Sequence, residues 1–563
     1  MHSDTAKPDG NAPLDPRRWL AFGVVLAAGF MDLLDVTIVN VAVPSIQQDL
    51  AAGYAQLQWI VAAYVLAFAA TLITGGRLGD AFGRRRVFLV GMTAFTVASA
   101  LCGSSTDPAM LIAGRFVQGA AAGLMVPQIL AIIQVTFPAG ERSRAIAIYS
   151  GVGGSASAIG LSLGGLLVQW DLFGLGWRPI FLVNVPVGVA ALIAAVFVVR
   201  DSRASNPPRL DPVGMVLATS AVLLLVYPLT EGRRLGWPAW TYVMMAAAAA
   251  VFAVFVGYER RRSARGRSPL VELGLFRSRP FAVGLSVWLL FWIALGGFFF
   301  VWTLFMQAGL GWSAMRAGLT AVAFAVGAGI GATTAMEALV PRFGRRVLVA
   351  GGLVNAAGFG LYAAMAWHYG ADFGSWTMAI ALVLSGVGFG MVVAPALDLL
   401  LSQVPQNGAG SASGLLNTGQ QLGMALGIAL VGVLFFQQLD HDSGRGVDAV
   451  SPVVSTQLAD AGLSATAQNG VLAGFRACVQ DRSAAIDPAA VPQSCRSVPA
   501  GGPVADILGA AGARANAENF SRTFGYTLWF GAALLVLVCL GFLAVPKSAR
   551  IPSAAPAPVP EPV

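Results

Sequence analysis

Charge is scarce in this chain. Only 11% of its 563 residues are Asp, Glu, Lys or Arg, while 56% are hydrophobic and the mean hydropathy is +0.72. A soluble globule carries roughly a quarter of charged residues, so that class is excluded and a polytopic membrane protein remains. Histidine (3) and cysteine (4) are equally few. His2, His368 and His441 stand far apart, and Cys102 and Cys539 fall inside apolar runs as packing residues. No metal-spaced Cys/His cluster, phosphate-cradling glycine loop or nucleophile elbow is present, which argues against an enzyme, a metal, a cofactor and a nucleotide. The net charge of +8 lies in short clusters between apolar runs, without a basic stripe, so nucleic acid is not an expected partner.

What the chain does have is long apolar runs. A helix rising about 1.5 Å per residue needs about 20 of them to cross a hydrocarbon core of about 30 Å. Fourteen runs qualify, near 19–46, 56–76, 87–106, 109–133, 145–168, 179–199, 211–229, 239–258, 280–306, 317–338, 347–368, 376–400, 413–437 and 522–544. Lys and Arg concentrate in alternate short loops, which predicts a cell-membrane protein with both termini cytoplasmic. The cluster from Arg260 to Arg267 fits as a topology anchor, with an anionic-lipid contact as the other reading.

The runs repeat. Shifted by 267 residues, Gly119 falls on Gly386, Gly123 on Gly390, Pro138 on Pro405, Gly160 on Gly427 and Gly165 on Gly432. Upstream, Phe82-Gly83-Arg84-Arg85 matches Phe343-Gly344-Arg345-Arg346 at an offset of 261, so a short insertion lies between. The predicted organisation is therefore a tail (1–18), an N-terminal six-helix half (19–199), an inserted helix pair with a basic loop (200–279), a C-terminal six-helix half (280–544) containing a large outer loop (438–521), and a flexible tail (545–563). Two parallel six-span repeats around a central site are a transporter plan.

The first span carries two acids, Asp32 and Asp35, then Asn40 and Pro44. An acid at mid-membrane costs roughly 2.5–3.5 kcal/mol on insertion scales, so it marks a functional site by default. Three residues apart, the two acids share a helix face, with Thr37 nearly opposite Asp35, and they either look into one cavity or are hydrogen-bonded between helices. Two neighbouring carboxylates do not both ionise readily, which suits proton exchange and makes a proton gradient the expected energy source. Arg115, followed by Gln118 in span 4, lies at a depth overlapping that of the acids. It either pairs with one of them, to be displaced when that acid takes a proton, or instead satisfies backbone carbonyls or snorkels outward. Glu337 and Asp398 lie near cytoplasmic helix ends, where capping or solvation is expected. Trp288, Phe291, Trp292, Phe298 and Trp302 offer either a stacking surface for an aromatic or cationic molecule or plain lipid-facing packing.

Four stretches carry a family resemblance: Gly76-Arg77-Leu78-Gly79-Asp80-Ala81-Phe82-Gly83-Arg84-Arg85-Arg86, Leu34-Asp35-Val36-Thr37-Ile38-Val39-Asn40-Val41-Ala42-Val43-Pro44, Trp177 to Gly188, and Gly410 to Asn417. In this order they resemble the major facilitator superfamily, and within it the fourteen-span drug/proton antiporters of the EmrB/QacA type. The resemblance implies an all-α major facilitator fold and alternating access. It also implies export of amphipathic or cationic drug-like molecules, and a cytoplasmic gate at Gly76, Asp80, Gly83, Arg84 and Arg85 that locks the outward-facing state. Asp35 matches the family motif; Asp32 rests on its location alone. A dedicated exporter of one metabolite or antibiotic, and a lipid or cell-envelope transporter, stay open as alternatives. The chain is read as a monomer whose contacts are a small-molecule substrate and membrane lipids.

Span 5 departs from the antiporter motif. It reads Gly160-Leu161-Ser162-Leu163-Gly164-Gly165, with Leu161 where the family has proline. Gly160, Gly164 and Gly165, with Gly423 and Gly427 in span 13, still predict close helix packing. In the outer loop Cys478 and Cys495 form a candidate disulfide on the oxidising side. The loop's Ala/Gly/Ser/Asp-rich composition, poor in aromatics, predicts partial disorder.

Overall fold

A computed structural model describes residues 16–52, 54–203, 211–232, 235–267, 269–271, 274, 276, 278–402, 404, 409–484, 492–497 and 501–544, with some helix side chains left out. The expected tails, from residue 15 backwards and from 545 onwards, lie outside the described residues. Among those described there is no strand. The N-terminal half holds α1 (Arg18–Asp49), α2 (Tyr54–Phe82), α3 (Arg84–Gly103), α4 (Pro108–Thr136), α5 (Ala139–Trp170), α6 (Pro179–Leu182) and α7 (Asn184–Val198). Then come α8 (Pro212–Glu231) and α9 (Ala239–Ala264). The C-terminal half holds α10 (Arg279–Leu304), α11 (Ala314–Thr334), α12 (Val340–Phe343), α13 (Arg346–Tyr369), α14 (Ser375–Ser402), α15 (Ala409–His441), α16 (Ser443–Asp460), α17 (Ala465–Ala484) and α18 (Pro503–Ala544).

Thirteen segments of the described residues are long and apolar enough to span a membrane. The 32-residue α5, packed against α1 and α11, supplies the fourteenth long helix. Local chemistry sets its neighbours' ends: Asp107 caps α4 by accepting from Met110 N at 2.9 Å, with Pro108 in the first turn. "Inner" below denotes the side of the Gly83 loop, and "outer" the side of α16 and α17.

The repeated glycines do the same work in both halves. A Cβ on Gly119 would sit 2.2 Å from Tyr64 O, and one on Gly386 2.1 Å from Phe324 O. Each thus brings the fourth helix of its half onto the second. Gly160 and Gly164 let α5 lie on α1 at Thr37 and Ile38, while Gly423 and Gly427 let α15 lie on α10 at Trp292 and Ile293. Any side chain there would force the pair apart. Gly165 is different: its nearest neighbour beyond the helix is Met315 Cε, 3.5 Å from a built Cβ, which is ordinary contact. The Leu161 side chain lies outside the described residues, and α5 runs unbroken through that position.

The described part of the outer loop is folded; its residues 485–491 and 498–500, on which the expectation of partial disorder also falls, lie outside the described residues. α16, α17 and the first turns of α18 enclose a small core of Val447, Val450, Val454, Leu458, Phe475, Leu508, Ala511 and Ala515. The aliphatic residues of α16 recur at three- and four-residue spacing, which makes one buried stripe without aromatics. Cys478 and Cys495 are joined in a disulfide that ties α17 to the turn Gln493–Ser497.

Candidate functional site

Asp35 is fully buried in the N-terminal half and surrounded by donors. Arg115 Nη1 donates to its Oδ2, while Gln118 Nε2 (2.8 Å) and Asn184 Nδ2 (2.9 Å) donate to its Oδ1. Gln118 is held in turn: its Oε1 accepts from Arg115 Nη1 at 2.7 Å and its Nε2 also reaches Ser99 Oγ at 2.8 Å. Arg115 Nε donates to Ile60 O at 3.1 Å, so this arginine both pairs with an acid and satisfies a carbonyl. Pairing and carbonyl satisfaction, two of the sequence alternatives, are met together. Four helices, α1, α3, α4 and α7, converge here with α2 beneath them. Both oxygens of Asp35 have donors, which offsets the burial of its charge; removing one partner of a buried pair costs about 3–5 kcal/mol.

Asp32, one turn earlier and also buried, accepts from Tyr64 OH. The Tyr64 ring lies under the Arg115 guanidinium at 4.2 Å, so the two acids belong to one network through Tyr64 and Arg115. Thr37 turns the other way, its hydroxyl donating to Leu34 O at 3.0 Å beside Gly160. Asn40 is helical in α1, and its side chain lies outside the described residues. Tyr64, Ser99 and Asn184 were not singled out from the sequence. Asn184 was legible as an amide in an otherwise apolar run; Tyr64 and Ser99 gain meaning only when their helices meet α1 and α4.

The C-terminal half presents aromatics instead. Trp288 and Trp292 lie 5.6 Å apart, Trp292 and Phe389 5.9 Å, and Phe298 stacks on Phe359 at 4.5 Å. Trp288, Phe291, Trp292, Phe298 and Trp302 are all buried, which removes the lipid-facing reading. Trp288 Nε1 donates to Leu416 O at 3.1 Å, whereas the buried Trp292 Nε1 has no acceptor among the described residues.

At the inner side Asp80, fully buried, pairs with Arg84 one turn on, at 3.1 Å. Gly83 between them has φ +103°, a conformation that a side chain would strain, and it lets α2 turn directly into α3. Arg77 donates to Pro269 O and Arg85 to Val196 O, while Arg84 N donates to Ser202 O at 3.0 Å. Gly76 is buried in α2.

The two halves also meet on this side. Arg142 of α5 pairs with Asp398 of α14 at 3.2 Å, Gln134 donates to Leu401 O at 2.9 Å, and Ser413 donates to Pro127 O at 2.7 Å. Asp398 is thus neither a cap nor solvated, as its place near a helix end had suggested: it is 1% exposed and paired across the halves. Glu337 stays half-exposed, 4.0 Å from Arg144. On the outer side a cavity of about 400 Å³ is lined by Ser45, Gln48, Asp49, Asp171, Trp177 and Arg178, with Asp49 accepting from Trp177 Nε1 at 3.0 Å and Arg178 Nη1 at 2.8 Å.

Two repeated helical halves around buried charge define a multi-pass membrane transporter. The profile described as Major Facilitator Superfamily matches residues 25–428, and the chain belongs to that family. It is 40% identical over 552 residues, 97% of this chain and 96% of the other, to the "Probable actinorhodin transporter" of Streptomyces coelicolor. It is 38% identical over 421 residues, 74% of this chain and 76% of the other, to the "Tetracenomycin C resistance and export protein" of Streptomyces glaucescens. The fold matches that of the human organic anion transporter MFSD10, with a TM-score of 0.52 at 15% identity over 92% of this chain and 100% of the other.

Proposed function

We propose that this chain is a secondary active exporter that exchanges protons for aromatic, amphipathic drug-like molecules by alternating access, with both termini in the cytoplasm, no cofactor, and the proton gradient as its energy source. The observation that carries the proposal is the closed donor shell around Asp35. A proton on Asp35 would remove the charge that Arg115 answers, while the acid would keep a carbonyl acceptor for Gln118 and Asn184. Proton uptake therefore releases Arg115, and loss of the proton recaptures it. Asp32, bonded to Tyr64 under the same guanidinium, is the second acid of the relay. The relative in Streptomyces glaucescens is a resistance and export protein by name, which supports export as the direction. The aromatic wall of α10 and α14 suits a planar ring system, and the free Trp292 N–H suits a ring carbonyl. Asp80, Arg84 and the Arg142–Asp398 pair act as the inner gate of the outward-facing state.

A second reading, export of one dedicated antibiotic, is favoured by the match to the actinorhodin relative along nearly the whole chain, outer domain included. Proteoliposomes with an imposed pH gradient test both. Wild type is expected to move protons on addition of planar aromatic compounds. Asp35→Asn is expected to lose that movement while still exchanging labelled compound at equal pH. Proton movement that persists in Asp35→Asn would remove the coupling role of this site; a response to a single compound in a broad panel would favour the dedicated reading.

A further inference from the structure

The inserted pair α8–α9 lies against both halves. Val222 and Val226 of α8 pack on Ala62, Leu66 and Ala69 of α2, and Leu422 of α15 joins the same cluster. Thr219 Oγ1 donates to Ala70 O at 2.9 Å. Below this contact the chain leaving α9 reverses at Gly266, whose φ is +67°, and returns under the pair. Leu270 and Val271 are then buried among Ala218, Phe255, Ile73 and Leu415, residues of α8, α9, α2 and α15.

Two bonds fix this returning segment. Glu259, fully buried on α9, accepts from Val271 N at 3.0 Å through Oε2. Arg77, 4% exposed and part of the gate stretch, donates to Pro269 O. Glu259 is itself set in a rigid frame. Asp211 caps α8 through Gly214 N at 3.0 Å, accepts from Tyr258 OH at 2.9 Å and pairs with Arg262 at 3.0 Å. A Cβ on Gly214 would touch Asp211 Oδ2 at 2.7 Å and Glu259 Oε1 at 2.8 Å, so both carboxyl groups close on that glycine.

We infer that Pro269–Val271 is a strap through which the inserted helix pair holds the inner gate, with Glu259 as the positioning residue that sets Arg77. The inference rests on the gate reading above. Hydrophobic packing alone would seat Leu270 and Val271. It does not explain why the buried carboxyl of Glu259 is turned to the strap backbone, nor why the buried Arg77 reaches the strap carbonyl two residues away. The Arg77 bond is charge-assisted, the stronger kind. When the halves separate on the inner side, α2 and α15 part, and the strap that lies between Ile73 and Leu415 must let go of one of them. The pair therefore biases the gate towards closure.

The test uses full-length protein in lipid nanodiscs, with spin labels at Phe82→Cys and Phe343→Cys, exposed positions at the inner ends of the two halves. The buried Cys102 and Cys539 are replaced by alanine. Wild type is expected to show one short inter-label distance. Glu259→Ala and, separately, Val271→Pro, which deletes the N–H, are expected to raise the long-distance population roughly tenfold, as loss of one buried hydrogen bond allows. Glu259→Gln, which keeps an acceptor oxygen, restores most of the closed population. Arg77→Ala opens the gate to the same extent, and adding Glu259→Ala to it has no further effect. If Arg77→Ala opens the gate but Glu259→Ala and Val271→Pro do not, the strap is overturned and the gate stands. If Arg77→Ala and Asp80→Asn leave the distances unchanged, the gate reading falls and the strap with it. Additive opening in the double variant also overturns it, because the two residues would then act separately.

Discussion

The two halves share a backbone plan and differ in what they bury. At the offset that lays Gly119 on Gly386, Arg115 of α4 falls on Leu382 of α14, and Gln118 falls on Ser385. Leu382 is buried among apolar side chains, and Ser385 donates to Asn355 Oδ1 at 3.0 Å in a neutral pair. The glycines that set helix approach are repeated; the charges are not. Packing is thus the property of the repeat, and the buried Asp35–Arg115–Gln118 network belongs to the N-terminal half alone. The C-terminal half buries aromatics on its first helix, α10. On the reading proposed above, the difference separates a site for protons from a surface for rings, joined by inter-half contacts on the inner side.

Copying the C-terminal residue into the N-terminal half is the severest test of this division. Arg115→Leu strands Asp35 without a counter-charge and is expected to cost about 3–5 kcal/mol, read as a fall in the thermal unfolding midpoint of purified protein. The double variant Arg115→Leu/Asp35→Leu should recover much of that loss, since an apolar pair replaces an ionic one. No difference between the single and double variants would mean that the pair is not the stabilising unit.

Asp398→Asn comes next. It removes the buried partner of Arg142 but keeps a polar group, so an effect of about 2–3 kcal/mol on inner closure is expected rather than unfolding. Maleimide labelling of a cysteine placed at Ser413 should speed up by more than tenfold. Unchanged labelling would show that the halves hold together without this bridge. The smallest effect is assigned to the aromatic wall. Trp292→Leu should weaken binding of a planar aromatic compound by about 1 kcal/mol, seen in tryptophan-independent titration calorimetry, with Asp35-dependent proton coupling untouched. A change in coupling would break the separation between the halves.

Much of this was legible before any coordinates. Apolar run length gave fourteen spans, and the glycine offset gave the repeat, because both follow from membrane thickness and helix contact. Arg115 and Asp35 were found from cost and depth: charged groups that deep need partners. Asp398 was misjudged because its depth in its own helix is shallow. What buries it is the other half, which no single-helix argument contains. The packing of the outer domain was not legible from composition, since its core is built on a stripe of aliphatic residues whose spacing matters more than their number. Tyr64 and Ser99 are ordinary residues of apolar helices until α2 and α3 are folded against α1 and α4.

One helix joins regions otherwise described apart. α18 has 42 residues, about 63 Å of continuous helix, roughly twice a hydrocarbon core. Its inner end is flanked by α10 and α13, and its outer end carries the disulfide-bearing domain on Leu508, Ala511 and Ala515. A rigid rod of that length works as a pointer: a tilt of the C-terminal half of a few degrees sweeps the outer domain through several ångströms. The outer domain thus sits at the far end of a lever, where any tilt of α18 is magnified before it reaches solvent.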